Sequence, residues 1–268
     1  MQKNPPKAFT RRVLHRMLRT KFIGRTFCAV TRGMGLEKIS RRASRHSRFV
    51  PKCVPLPVLG ADGTRRVGSI YSDNGRDQIA RNIWVHGLLA YEAPLPELFM
   101  RLVKGAQTVL DVGANSGLYA ILAALTEPRC SVISFEPLPE ALKCLRANLR
   151  ANQLEARVTV VEAAAGSSQG QMDLFIPENK FGEVLETSAS LVREFRPKHS
   201  NIIKVRVETL DDYVAANCKS RVSILRADVE GAEHQVLQGA TEILKNHRPL
   251  VFVEVLADIT ATYLEPIR

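Results

Sequence analysis

The sequence has no run of about 18 uninterrupted apolar residues, so no segment reads as a membrane-spanning helix. Cysteine is sparse: Cys28, Cys53, Cys130, Cys144 and Cys218 are odd in number, widely spaced, and form no C-x-x-C pair. Neither a disulfide scaffold nor a zinc site is expected, and a reducing compartment such as the cytoplasm fits better. With 268 residues, 45% hydrophobic and 24% charged, the chain is not disordered, collagen-like or a coiled coil. It predicts one large domain, or one domain with an extension.

Acidic residues are nearly absent from the start of the chain. Residues 1–50 carry 14 of the 38 Lys/Arg and one of the 27 acids, Glu37. The remainder, with 24 bases against 26 acids, is slightly acidic. The formal charge of +11 therefore belongs to a basic arm. Such an arm suits a targeting segment, an anionic membrane surface, acidic glycans, or nucleic acid. Within it, 10–22 reads as a loose amphipathic helix, with Val13, Leu14, Met17, Leu18 and Phe22 facing away from Arg12, Arg16 and Arg19. Arg11 and Lys21 break the apolar arc. The Arg-rich, acid-poor texture resembles a mitochondrial presequence, with a solvated extension as the plain alternative. Aromatic interleaving is missing, which argues against nucleic acid.

Residues 51–90 read as an irregular connecting region with one hairpin, and a domain over 91–268 follows. There, apolar runs alternate with helical stretches. Strands are expected at 108–112, 131–135, 158–162, 222–225 and 250–254, and helices at 95–103, 118–126, 139–152, 210–217 and 232–247. Further strands are expected at 172–177 and 204–207, flanking a loop over 178–201 that carries Glu186, Ser188 and Ser190 and reads equally as a lid or a surface insertion. The fold class is α/β: a doubly wound, mostly parallel sheet with helices on both faces.

The most informative stretch is Asp111-Val112-Gly113-Ala114-Asn115-Ser116-Gly117, a glycine-rich turn between a strand and a helix. It is neither G-x-G-x-x-G nor a phosphate loop ending in Gly-Lys-Ser/Thr, the forms that a diphosphate would favour. Such a turn aims backbone N–H groups and a helix N-terminus at the carboxyl edge of the sheet, where open parallel sheets bind ligands. The next strand ends in Glu136-Pro137, and Glu136 lies 25 residues beyond Asp111, near the spacing of an acid that grips ribose hydroxyls. An adenosine-type cofactor is the reading these features share.

The same turn resembles motif I of class I S-adenosylmethionine-dependent methyltransferases, in the form found in the FkbM family. The likeness continues through Phe135-Glu136-Pro137, Val161-Glu162-Ala163-Ala164, Ser188-Ala189-Ser190-Leu191, Thr209-Leu210-Asp211-Asp212-Tyr213, Asp228-Val229-Glu230-Gly231-Ala232-Glu233 and Glu254-Val255. The resemblance implies a Rossmann-like methyltransferase that moves a methyl group from S-adenosyl-L-methionine to a hydroxyl of a sugar, glycan or natural product. It places Gly113, Ala114, Asn115 and Gly117 along the methionine and ribose, with Asp111 and Ser116 in the same turn. Glu136, beside Pro137, takes the ribose hydroxyls, while Glu162, Ala163 and Ala164 flank the adenine. Tyr91-Glu92 stands where the family has a similar pair and closes over the cofactor. The family continues past Glu254 with a helix and two strands, whereas this sequence ends at Arg268. The expectation is that the last strands come from elsewhere, that the sheet is short, or that the chain is a truncated product, and a missing strand pair exposes a sheet edge.

Asp228 and Glu230 are the candidate bases, because an alcohol is a weak nucleophile until its proton leaves. Their alternative role is to accept hydrogen bonds from sugar hydroxyls, with capping of the following helix as the lesser reading, stronger for Glu233 than for Asp228 and Glu230. His86 and His234 read as packing or surface residues. Asp228, Glu230 and Glu254 are hard oxygen ligands suited to Mg²⁺ or Ca²⁺, but their spacing does not call for a metal. Two rival functions remain: a non-catalytic adapter tethered by the arm, and an RNA methyltransferase. The sequence does not indicate an oligomeric state.

Overall fold

Five short runs that are apolar on both faces form the central sheet of the computed structural model, which describes residues 50–73, 77–178, 188–195 and 198–255. They are β3 (Thr108–Val112), β4 (Ser131–Phe135), β5 (Val158–Val161), β9 (Val222–Ala227) and β10 (Leu250–Val253). All pair in parallel, in the order β10-β9-β3-β4-β5. Every residue of β3 is buried, as a central strand covered on both faces requires. Alternation sorts the side chains: Val109, Val132 and Ile224 enter one core, and Leu110, Ile133 and Leu225 the other.

Helix α3 (Leu118–Thr126) covers the first face, together with α1 (Gln78–His86), α2 (Leu95–Leu102) and part of α4 (Pro139–Ala151). Helices α5 (Leu210–Asn217) and α6 (Glu233–Gln238) cover the second. The chain winds outward from β3 through β4 to β5, then returns to place β9 on the other side of β3. The reversal between β3 and β9 is a topological switch point, the place where such sheets open a crevice. This is a Rossmann-like, doubly wound fold.

A second sheet joins β6 (Ala164–Ala165), β7 (Gly170–Pro177) and β8 (His199–Glu208) in the order β6-β8-β7. It contains both strands expected around the 178–201 loop; Glu186 and the loop centre lie outside the described residues.

Two expectations need correction. The hairpin expected within 51–90 is present, β1 (Cys53–Leu59) pairing β2 (Arg65–Tyr71) antiparallel over seven pairs, but the segment is not otherwise irregular, since α1 follows. The hairpin's alternation buries Val54, Leu56, Val58 and Ile70 in the same core as α3, with Trp84 packed against it. The hairpin is therefore part of the domain rather than a link to it. The helix expected over 232–247 is broken, with α6 stopping at Gly239. A Cβ there would sit 2.0 Å from the Gly166 carbonyl oxygen. The Asp211 carboxylate then accepts from Glu242 N and Ile243 N, starting a new turn.

The basic arm, including 10–22, and residues 256–268, where the question of further strands arises, lie outside the described residues. Among the described residues no helix is long and apolar enough to cross a membrane, and Cys53, Cys130, Cys144 and Cys218 are unpaired.

Candidate active site

At the switch point β3 ends in the glycine turn. Gly113 has φ 76°, and a Cβ there would lie 2.0 Å from the Asp228 carbonyl oxygen, so only glycine lets the tips of β3 and β9 meet. The turn is pinned to its neighbours: Gly113 N and Ala114 N both donate to Phe135 O, and Asp228 N donates to Val112 O.

Glu136 closes the far side. Its two carboxylate oxygens accept from Asn115 N and Leu138 N, each at 2.8 Å. Burial pushes its carboxyl up to about 7, against those two hydrogen bonds. One lone pair on each oxygen is thereby used and one remains on each, the requirement for gripping two vicinal hydroxyls. Gly113, Asn115, Glu136, Pro137, Ala164, Asp228 and Glu230 line a cleft here.

The other expected cofactor residues stand elsewhere. Asp111 and Ser116 are fully buried and Ala163 has no exposed surface, so none of them faces this cleft. Ala114 is buried in the core cluster. A Cβ on Gly117, at the start of α3, would meet Leu145 at 2.4 Å, so this glycine serves helix packing. Glu162 is exposed and ion-paired with Arg146.

Glu92 lines a second cleft, with Leu95, Arg226, Asp228, Phe252 and Glu254. Asp228 borders both clefts. Arg226, which the sequence reading passed over, organises this junction. It donates to Asp111 Oδ1 at 3.0 Å and to Asp228 Oδ2 at 2.5 Å. Its guanidinium lies 4.1 Å from the centroid of the Tyr119 ring, and Tyr119 Oη donates to Glu92 at 2.8 Å. Burial works to lower the Arg226 pKa, but the Asp228 and Asp111 carboxylates outweigh it and hold the charge firmly in place. Its only signal in the sequence was a lone charge at the end of an apolar strand.

The turn after β9 is rigid for local reasons. Glu233 accepts from Val229 N at 2.9 Å and from Gly231 N at 3.0 Å, so it holds the turn rather than facing a ligand. Glu230 takes φ 59°, and its carbonyl accepts from Ser190 Oγ at 2.7 Å. Oxygens of Asp228, Glu230 and Glu254 lie within 4.8 Å of one another. Burial and then Asp228, through charge and a hydrogen bond, push the Glu254 carboxyl upward, although the residue as a whole is exposed.

The sequence profile described as "Methyltransferase FkbM domain" matches residues 111–263. The 2-O-methyltransferase NoeI of Sinorhizobium fredii is 29% identical over 156 residues, covering 55% of this chain and 63% of that protein. The 31-O-demethyl-FK506 methyltransferase FkbM of Streptomyces tacrolimicus is 25% identical over 161 residues, covering 52% and 62%. The chain thus spans less than two thirds of the length of these curated relatives. The crystal structure of methyltransferase FkbM from Methylobacillus flagellatus aligns with a TM-score of 0.41 at 18% identity, over 70% of this chain and 48% of that one.

Proposed function

The chain belongs to the FkbM methyltransferase family, and from that membership we propose that it transfers a methyl group from S-adenosyl-L-methionine to a hydroxyl oxygen of a sugar, glycan or natural-product small molecule. The observation that carries this reading is the meeting of two clefts at Asp228, one floored by the glycine turn and Glu136, the other walled by Glu92 and Glu254. The names of two relatives, a 2-O-methyltransferase and a 31-O-demethyl-FK506 methyltransferase, support an oxygen acceptor.

The residues of the first cleft fit an adenosyl cofactor. Glu136 retains acceptor capacity for ribose hydroxyls, and Asn115 Oδ1 is buried with no hydrogen-bond partner among the described residues. When bound, the cofactor supplies a methyl group on a positively charged sulfur, an electrophile that needs no further activation.

The remaining work falls to side chains. Arg226 and Glu233 hold the Asp228–Gly231 turn still, so that an acceptor hydroxyl is presented in one orientation, and positioning of this kind supplies much of the acceleration. Asp228 or Glu230 accepts the hydroxyl proton as the new bond forms, a contribution of roughly 10²–10⁴-fold. The apolar floor of Leu95 and Phe252 suits the carbon face of a sugar ring, and the flanking carboxylates suit its hydroxyls.

Isothermal titration with S-adenosyl-L-methionine, followed by radiolabelled methyl transfer to a panel of neutral glycosides, tests the reading. Saturable binding and label in a glycoside are expected. No heat at high micromolar cofactor would leave the tethered adapter in its place.

A further inference from the structure

The β1–β2 hairpin gives one face to the core and the other to solvent. Its alternation buries Val54, Leu56, Val58 and Ile70 and leaves Pro55, Pro57 and Leu59 outside. Across the ladder Pro57 stands opposite Val67, and Leu59 opposite Arg65, so these four side chains share the outer face. Val67 is 73% exposed and Leu59 53%, and with the prolines they make a contiguous apolar patch rather than scattered residues. The charges around it have one sign. Arg65 is exposed, and Lys52 holds its ammonium 6.0 Å from the centroid of the Tyr71 ring at the other end of the ladder. Neither strand contains an acid, and Asp62, in the turn between them, is engaged by Arg66 in a salt bridge.

Charge complementarity identifies the occupant. The chain enters β1 from Val50, which is buried in the same core as the hairpin, so residues 1–50, with 14 bases and one acid, are joined to the body at the foot of this ladder. Within them Val13, Leu14, Met17, Leu18 and Phe22 recur at helical spacing between arginines. We propose that the outer face of the hairpin and the basic arm form one docking surface for an anionic lipid membrane, the apolar side chains entering the interfacial layer and the cations meeting the head groups. The inference goes beyond the methyl-transfer reading and does not rest on it. A single weak signal binds a bilayer only marginally and reversibly, whereas an apolar insertion combined with a polybasic segment holds. Nucleic acid fits less well, because its phosphates offer nothing to Pro57, Leu59 and Val67. A second copy also fits less well, since hairpins packed face to face would draw two like-charged arms together.

The test uses the full chain and sedimented vesicles. Binding is measured to phosphatidylcholine vesicles and to vesicles with about a quarter phosphatidylserine, in about 0.1 M and then about 0.5 M salt. Partitioning onto the anionic vesicles should be stronger by about tenfold or more at the lower salt, and most of that preference should vanish at the higher. With the arm intact, Leu59→Glu combined with Val67→Glu should weaken anionic binding by about tenfold. Both positions face solvent, so the melting temperature should barely change. Arg12→Glu with Arg16→Glu should weaken binding to a similar degree. Val67→Ser, which adds no charge, should weaken it by about threefold and decides the matter where the hairpin pair fails to fold. Equal binding to the two vesicle types, binding to neither, or anionic binding unmoved by the hairpin substitutions overturns the inference. Duplex RNA that stays bound against an excess of anionic vesicles overturns it in favour of nucleic acid. A dimer in sedimentation velocity that the hairpin substitutions dissolve overturns it in favour of a second copy.

Discussion

Arg226 lies directly across from Asp111 in the register of β9 and β3, although 115 residues separate them in the chain. Both side chains are almost wholly buried, and the same guanidinium reaches Asp228. Removing the cation strands two carboxylates at the floor of the site. Arg226→Met should cost about 3–5 kcal/mol in thermal or urea unfolding, and Arg226→Lys should recover only part of it, because an ammonium cannot fork between two acids.

Gly113 is the second constraint at this junction. Gly113→Ala adds a Cβ facing backbone 2.0 Å away, at a φ that alanine resists. A loss of roughly 2–5 kcal/mol and of measurable cofactor binding is expected, read by melting and calorimetry together. Gly63 also has a positive φ but nothing within 4 Å, so Gly63→Ala should cost less, strain without a clash.

Stability should fall as the solution becomes alkaline. Burial raises the carboxyls of Asp77 to about 6 and of Glu136 to about 7, and Glu254 moves the same way. Each folded-state value lies above its unfolded value, so the contribution is complete below about pH 4 and is lost as pH rises through 6 to 7. Melting temperature should decline between pH 5 and pH 8. Glu136→Gln should flatten that decline, because the amide has no proton to lose; an unchanged slope would refute the assignment.

Asn148 fastens the hairpin to the site. Its Oδ1 accepts from Tyr71 N and its Nδ2 donates to Ser116 O, both at 2.7 Å, with the side chain fully buried. Asn148→Ala takes this partner from the buried Ser116 O and the part-buried Tyr71 N, for about 1–3 kcal/mol. Cofactor affinity should fall with it, since Ser116 belongs to the glycine turn. A change in stability with affinity intact would show that the hairpin does not support the turn.

Much of this molecule was legible in one dimension. Short apolar runs alternating with helical stretches announce a parallel sheet, since buried strands and crossover helices carry different periodicities. The turn at 111–117 and the acid at 136 could be placed at the carboxyl edge because backbone conformation follows local residue choice. Pairing between distant strands decided the rest. Arg226 became the partner of Asp111 and Asp228, Glu254 reached the junction from another strand, and Glu162 turned outward to Arg146. The break at Gly239 and the docking of the hairpin had the same origin. Local chemistry sets dihedral angles and periodicity, whereas which charges share a buried space depends on contacts that exist only once the chain has closed.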